Sequence, residues 1–354
     1  MVSLHWKGQT LIDRPLGFPK FSWVSVLFLA GCTGFSWSGF RGCTGDSKIG
    51  STKTGDDPKD SNVVFLGEFE IPLKEISGLG IKRNAAGADE VIAIGDHDFD
   101  LFTGPGIPGP SWVKNLHKIS LEKNLASGAE KTQDQSSSQF EAVVGDGGGL
   151  MAVLSEESSE VTFFNDGGKR VSVLALTVPL DSPLRTEWDA DSGSRGEGMV
   201  MLRNGHMLLL KEKKPALIIE FGPPGSTATG YRPGDAVANQ DTFIVPKNGS
   251  TFVPLKWWRP GSTAKKEAHD LSELAVSARG RLLALSDKDR AVFEVEKRLD
   301  PEEENFHFKC RWLLPDQIAK PEGLVMLRDG TVLVGIDTKE AGPNLFWLRL
   351  DPCP

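Results

Sequence analysis

One unit recurs five times between residues 76 and 337: an apolar run, a glycine-bearing turn, a second apolar run, and an acidic residue at its end. The clearest copy is Glu322-Gly-Leu-Val-Met-Leu-Arg-Asp-Gly-Thr-Val-Leu-Val-Gly-Ile-Asp337. Asp-Gly is a preferred two-residue hairpin turn, so a turn at Asp329-Gly330 predicts that Glu322 faces Asp337 across the ladder. The same rule, with turns at Asn204-Gly205, Gly148-Gly149 and Arg279-Gly280, faces Glu197 to Glu212, Glu141 to Glu156, and Ser272 to Asp287. A fifth copy with a longer loop pairs Ser77 with Asp96.

Each hairpin is followed by further strand-like runs: residues 99–102 and 112–121, 161–164 and 171–178, 216–221 and 251–258, 291–295 and 306–314. The last copy has only residues 344–350 and is one strand short, while residues 63–71 form a strand with no hairpin partner of their own. Four-stranded repeats of this kind are the signature of a β-propeller, in which an early strand commonly completes the final blade. Inner runs such as residues 207–210 and 282–285 are apolar at consecutive positions. Continuous apolarity indicates burial on both faces, as between neighbouring blades. The expectation is an all-β chain, a single β-propeller of four-stranded antiparallel blades closed by an N-terminal strand. Five blades are counted, and a sixth is possible in the insertion at residues 224–248. Two β-sandwiches would explain neither five equivalent hairpins nor the displaced end strand.

The N-terminus reads as a targeting signal. Lys7, Arg14 and Lys20 precede an apolar run of ten at residues 21–30, too short to span a bilayer as a helix. The run ends in Leu29-Ala30-Gly31-Cys32, which resembles a bacterial lipobox and implies diacylation of Cys32. The domain reading is a lipoprotein signal peptide at 1–31, a flexible tether at 32–61 rich in Gly, Ser, Thr, Asp and Lys, and the propeller at 62–354. Thr33 stands where an aspartate favours inner-membrane retention, so the expected location is the outer membrane, anchored by lipid. Of the other cysteines, Cys43, Cys310 and Cys353, a bridge from Cys310 to Cys353 would tie the last two repeats together in an oxidising compartment. Three is an odd number, so at least one thiol stays free or pairs with another chain. No cysteine spacing resembles a zinc site.

Net charge is -8 with both signs interspersed, so no basic footprint argues for nucleic acid. The acids instead concentrate at one structural address. In a propeller blade the first strand begins, and the second ends, on the same rim. Asp96, Glu141, Glu156, Glu197, Glu212, Asp287, Glu322 and Asp337 are therefore expected around one mouth of the channel, as candidate metal ligands. Two like charges about 5 Å apart repel by roughly 3 kcal/mol at an effective dielectric near 20. Three compensations are open: a hard cation such as Ca²⁺, pairing with Arg195, Arg203, Lys211, Lys288 or Lys320, or protonation with raised pKa values. Arg195 and Lys211 are the candidate ligand-binding cations. A further reading is that each carboxylate accepts backbone N–H groups of the next blade and holds the ring. His97 and His269 lie in loops flanking these strands and are candidates for a general base or a metal ligand.

The hairpins, in particular Ile76-Ser77-Gly78-Leu79 with Asp96, Arg195-Gly196-Glu197-Gly198 with Lys211-Glu212, and Pro321-Glu322-Gly323-Leu324 with Asp337, resemble the phytase-like β-propellers. That group includes calcium-dependent alkaline phytases, esterase-like relatives and the SdiA-regulated periplasmic proteins. The resemblance covers residues 62–350. It implies a calcium-stabilised ring, usually of six blades, with a ligand site at one mouth. The phytase Asp-Asp-Pro motif is matched only by Asp56-Asp57-Pro58 in the tether, where the following apolar context is lacking. Two functions are expected from these features. One is a lipid-anchored propeller that binds a small molecule, a glycan or a protein at its acidic mouth. The alternative is a metal-dependent hydrolase of phosphoesters or lactones.

Overall fold

A computed structural model describes residues 58–109, 111–122, 137–191, 193–237, 241–261, 269–296 and 298–353. The expected signal peptide, Cys32, Cys43 and nearly all of the tether lie outside the described residues.

In chain order, β1 (Lys59–Ser61) and β2 (Val63–Phe69) precede the first hairpin. Blade one is β3 (Ile76–Arg83), β4 (Asp89–Gly95), β5 (Asp100–Pro105) and β6 (His117–Ser120). Blade two is β7 (Phe140–Gly145), β8 (Met151–Ser155), β9 (Glu160–Phe164) and β10 (Arg170–Leu176). Blade three is β11 (Gly198–Met201), β12 (Met207–Lys211), β13 (Leu217–Gly222) and β14 (Ser250–Pro260). Blade four is β15 (Leu271–Val276), β16 (Leu282–Ser286), β17 (Ala291–Val295) and, after the two-residue β18 (Asn305–Phe306), β19 (Phe308–Leu313). Blade five is β20 (Pro321–Met326), β21 (Thr331–Ile336) and β22 (Leu345–Leu350), and its outer strand is β2. The antiparallel register Val63↔Leu350 to Phe69↔Leu345 closes the ring as the orphan strand predicts.

Five blades are confirmed by the packing as well as by the pairing. The buried side chains fall into five clusters, and each cluster holds the residues between two adjacent blades. Leu208 and Leu210 face blade four while their neighbours Met207 and Leu209 face blade two, which is why the inner strands are apolar at every position. The insertion at 224–248 is not a sixth blade. Its described residues contribute only isolated bridges, Leu202↔Ala236 and Tyr231↔Leu299, and otherwise run as a loop.

The hairpin register differs from the expectation by a repeated, explicable amount. The loops have three residues, not two: the residue before each loop donates its N–H across to the residue after it, as in Leu202 to His206 and Leu327 to Thr331. The third loop residue is always glycine with positive φ, at Gly87, Gly149, Gly205, Gly280 and Gly330. This left-handed position is where a three-residue hairpin needs glycine. A register irregularity at Ser77, Glu141, Ser272 and Glu322 then slips the ladder again near the strand start. Consequently Asp337 donates its N–H to the Lys320 carbonyl, Glu156 to Gln139, Asp287 to Asp270, and Glu212 to Ser194. The expected face-to-face acidic pairs do not form, and the double offset separates like charges that would destabilise a directly opposed pair.

Paired backbone also begins earlier than the expected domain start at 62, because β1 runs parallel to β19 from Lys59↔Cys310 to Ser61↔Trp312. Cys310 and Cys353 form the disulfide expected from their positions, with Cα atoms 6.0 Å apart. It ties the chain end to blade four, beside the strand that β1 extends. Closing a loop of this span restricts the unfolded chain, so Cys353→Ser is expected to lower stability by about 2–4 kcal/mol. Urea unfolding of the two proteins under oxidising conditions measures this directly, and equal midpoints would mean the bridge adds nothing.

Candidate functional site

The five inner strands β3, β7, β11, β15 and β20 approach one another closely around the axis. A Cβ on Gly198 would lie 2.3 Å from the Leu274 peptide nitrogen, and one on Gly78 would lie 2.8 Å from the Glu141 carbonyl oxygen. Glycine at these points is the condition for the approach. It also means that positions just outside the contact, where the strands splay toward the rim, project into a common funnel.

Two sets of equivalent positions point to that funnel. The residue after each second strand is Asp96, Glu156, Glu212, Asp287 or Asp337, acidic in all five blades. The equivalent residue at the start of each first strand is Ser77, Glu141, Glu197, Ser272 or Glu322, and the ladder slips at all of these except Glu197. The two serines hold the ring: Ser77 donates to the Phe140 carbonyl, and Ser272 to the Pro321 carbonyl at 2.8 Å. The three glutamates behave differently. Among the described residues, the carboxyl groups of Glu141, Glu197 and Glu322 make no hydrogen bond and no ion pair. Each is half-buried. The three lie close enough to one another for their charges to interact.

Burial therefore sets their chemistry, with mutual repulsion second. Desolvation and then the Glu156, Asp96 and Glu322 charges push Glu141 up to about 9. Desolvation followed by Glu141 and Glu156 raises Glu197 well above the usual carboxylate range. Desolvation with Asp287 and Glu212 does the same to Glu322. The surrounding acids are raised less. Burial lifts Glu156 although the Arg195 N–H, 2.7 Å from its Oε1, favours its charge. Burial lifts Glu212 although Lys213 pairs with it at 2.7 Å, and burial lifts Asp287 despite Lys320. Asp337 pairs with Lys320 at 2.9 Å.

The cations expected to neutralise the rim mostly do other things. Lys211 is buried and donates to Ser194 Oγ and the Lys213 carbonyl, with its pKa lowered by desolvation. The Arg195 guanidinium holds Asp189 at 2.8 Å and the Trp188 carbonyl. Arg203 pairs with Asp241 at 2.9 Å on the opposite mouth. His269 is exposed and lies 3.8 Å from Asp289. His97 is exposed too, but its Nε2 is 3.0 Å from Glu75 and its Nδ1 is 3.2 Å from Asp96. Glu75, Asp96 and His97 are the one group among the described residues whose ligand atoms lie within 4.8 Å of one another. Glu75 also pairs with Lys339 at 2.9 Å, and Asp96 is raised by burial, partly offset by His97.

Two residues of this channel escape a reading of the sequence. Glu75 precedes the first strand with a left-handed φ of 50°, matched by Gln139, Asp270 and Lys320 in three other blades, a conformation its residue type does not announce. Glu273 sits inside an apolar run at the position of Gly78, Ala142, Gly198 and Gly323. It is 2% exposed. Its Oε1 accepts the Leu274 N–H at 2.9 Å, the Leu79 and Met199 peptides lie close enough to favour its charge, and Oε2 is buried with no well-aligned donor. Burial dominates and raises its pKa well above the carboxylate range. The charge in the run was its only signal.

The family model described as SdiA-regulated matches residues 197–348, which span blades three to five. No curated protein matches the chain. Among solved structures, a streptogramin B lyase is similar at 11% identity and a TM-score of 0.41, covering 82% of this chain and 98% of its own. The PQQ-bound aldose sugar dehydrogenase of Streptomyces coelicolor is similar at 7% identity and a TM-score of 0.44, covering 83% and 100%. The calcium-binding regucalcin of Agrobacterium tumefaciens is similar at 11% identity and a TM-score of 0.41, covering 83% and 95%.

The raised carboxyls predict an unusual pH profile. A carboxyl whose pKa is higher in the folded chain than in the unfolded one stabilises the fold below its unfolded pKa, and that stability is lost as pH rises through the folded value. Cation-free protein should therefore melt at progressively lower temperature from about pH 5 to pH 9, the window set by the rise of Glu141 to about 9. Glu141→Gln should flatten the profile and raise the midpoint at pH 9 by a few °C. A midpoint that climbs over this range in the parent protein would contradict the assignment.

Proposed function

We propose that the chain is an exported propeller, anchored by lipid on Cys32, that binds a divalent cation at its acidic mouth and presents that cation to a ligand. The observation that carries this reading is the trio Glu141, Glu197 and Glu322: carboxyl groups from three blades that lie close enough to repel one another and, among the described residues, have no direct ion-pair or hydrogen-bond partner. A hard cation such as Ca²⁺ takes carboxylate, carbonyl and water oxygens, and this donor set is oxygen only. The trio would hold the ion, with Glu156, Glu212 and Asp287 lending longer-range attraction. When bound, the ion supplies the positive charge that protons otherwise supply. It also offers coordination positions to anionic or hydroxyl groups of a small molecule, a glycan or a protein.

The order of charged residues, apolar run and Leu29-Ala30-Gly31-Cys32 supports export and lipid attachment, and Thr33 supports the outer membrane as the destination. Two or three acyl chains anchor stably because each buried methylene adds ~0.8 kcal/mol. A second reading, hydrolysis of phosphoesters or lactones, draws on His97. Its ring nitrogens lie 3.0 and 3.2 Å from Glu75 and Asp96, and the three side chains could together hold the metal ion of such a hydrolase.

Calcium should raise the melting midpoint of the purified domain, chelator should reverse the rise, and binding at pH 7 should release protons, because ligation requires the charged carboxylates. Glu197→Gln should remove both effects. Identical midpoints with calcium and chelator would leave the cation site without support. For the anchor, incorporation of labelled palmitate in bacteria should vanish in Cys32→Ser. Turnover of p-nitrophenyl esters or phosphates that disappears in His97→Ala would favour the hydrolase, and inactivity across both classes would favour the binder.

A further inference from the structure

The channel has a second mouth, at the hairpin-loop face, and it opens into a cavity of about 750 Å³. We infer that this cavity is a binding site for a small polyhydroxylated organic anion, of the size and chemistry of a sugar acid, separate from the acidic mouth. The inference does not rest on the cation reading, because the two mouths lie at opposite ends of the inner strands.

The walls specify the hydroxyl groups. Leu79, Val143, Met199, Leu274 and Leu324 line the cavity at equivalent positions of the five inner strands, yet their side chains are buried between blades, each no more than 3% exposed. What these five turn to the cavity is therefore mainly backbone, while the half-buried Ile81, Val144, Val276 and Met326 of the same strands add apolar surface that suits the C–H faces of a sugar. The inner edge of a blade's first strand has no neighbouring strand, so its peptide N–H and C=O groups must find water or a ligand. A hydrocarbon would strip water from these groups and leave them unpaired, at a cost per group of about 1–3 kcal/mol. A polyol replaces the water. Glu273 shows that groups at this level accept a polar guest: its carboxyl sits among the peptides of Leu79, Met199 and Leu274, three residues that line the cavity.

The rim specifies the charge. Arg203, Arg279 and Arg328 line the opening together with Asp241, and Asp89 stands beside Arg328. Arg203 is paired with Asp241 at 2.9 Å and Arg328 with Asp89 at 3.3 Å. Arg279 is exposed and, among the described residues, makes no hydrogen bond or ion pair. Its planar fork suits a carboxylate or a phosphate.

The third argument is that the cavity is built. The long loop after β13 could have run anywhere, but it is fixed to the hairpin loops of three blades. Buried Glu220 takes the N–H groups of Thr229 and Gly230. Tyr231 Oη donates to the Gly280 carbonyl at 2.8 Å, and the Arg203 N–H donates to the Asp235 carbonyl at 2.8 Å. Gly147 donates to the Asp241 carbonyl at 2.7 Å, and Phe243 donates to Asp146 Oδ2 at 2.9 Å. Pro233, Gly234 and Val237 of the same loop form one wall. Long loops held in a defined place are commonly functional, and this one deepens a shallow opening into a pocket within the usual range for small-molecule sites.

The test is calorimetric titration in chelator with three probes. Lactobionate carries hydroxyls and a carboxylate, lactitol keeps the skeleton without the charge, and sebacate keeps carboxylates without hydroxyls. Lactobionate should bind, lactitol should bind about tenfold more weakly, and sebacate should not bind. Arg279→Gln should reduce lactobionate affinity about tenfold, to the level of lactitol. Ala278→Trp, an exposed substitution on the lining, should abolish binding by filling the opening. The inference is overturned if none of the probes binds, if lactitol or sebacate equals lactobionate, if neither variant weakens binding, or if lactobionate binds only when calcium replaces the chelator.

Discussion

Five strand edges meet around one axis with no sixth strand to pair with, and the rest of the molecule accommodates that fact. Close approach at the waist requires glycine, as at Gly78 and Gly198, and leaves peptide groups facing inward. Where the edges are closest, Glu273 fills the gap and takes up some of those peptides. Toward either rim the strands splay, and the free edges open into two vestibules of opposite character. The blades themselves are held by five apolar layers, one per interface, so neither vestibule has to contribute to stability. Polar and charged groups can then collect there at a local cost that the apolar layers offset.

That division explains why the two mouths differ. At one end, acids follow the second strand of every blade and stand near the first strand in three of them, and burial raises Glu141 to about 9 and Glu197 and Glu322 well above the usual carboxylate range. Removing repulsion by protonation and removing it by cation binding are alternatives at the same oxygens, so the two compete. At the other end, three arginines and a tethered loop surround an opening whose wall mixes strand backbone with half-buried apolar side chains such as Ile81 and Met326. Lys320, Lys213 and Lys339 pair directly with the outer acids of the first mouth, and not with Glu141, Glu197 or Glu322. A solute meeting this protein thus encounters clustered carboxyl groups on one face and an arginine-bearing rim on the other.

Much of the architecture was legible because it depends on repetition, and repetition survives in the order of residue types. Apolar runs at consecutive positions, the unpaired strand near Val63, and the placement of Cys310 and Cys353 each pointed to the arrangement found. Register was less legible. Asn204-Gly205 and Asp329-Gly330 suit a two-residue turn, yet in both the glycine serves as the left-handed third residue of a longer loop. The slip near Glu141 and Glu322 has no marker in residue type at all, since it follows from how neighbouring blades seat against one another. Cation partners were equally hidden. Lys211 and Arg195 stand beside Glu212 and Glu197 in the chain, but their side chains turn to Ser194 and Asp189. The second mouth was missed for a different reason: the loop at 224–248 shows its purpose only through contacts with three other hairpins.

The central claim is that carboxyl groups distant in the chain share one enclosed funnel and hold protons there. Infrared difference spectroscopy of cation-free protein at neutral pH reads this directly, because a protonated carboxyl and a carboxylate absorb separately. The account predicts a protonated-carboxyl band at pH 7 that weakens in Glu141→Gln and in Glu197→Gln, and that gives way to carboxylate absorption when calcium is added. A spectrum showing only carboxylate at pH 7, unchanged by either substitution, would contradict it.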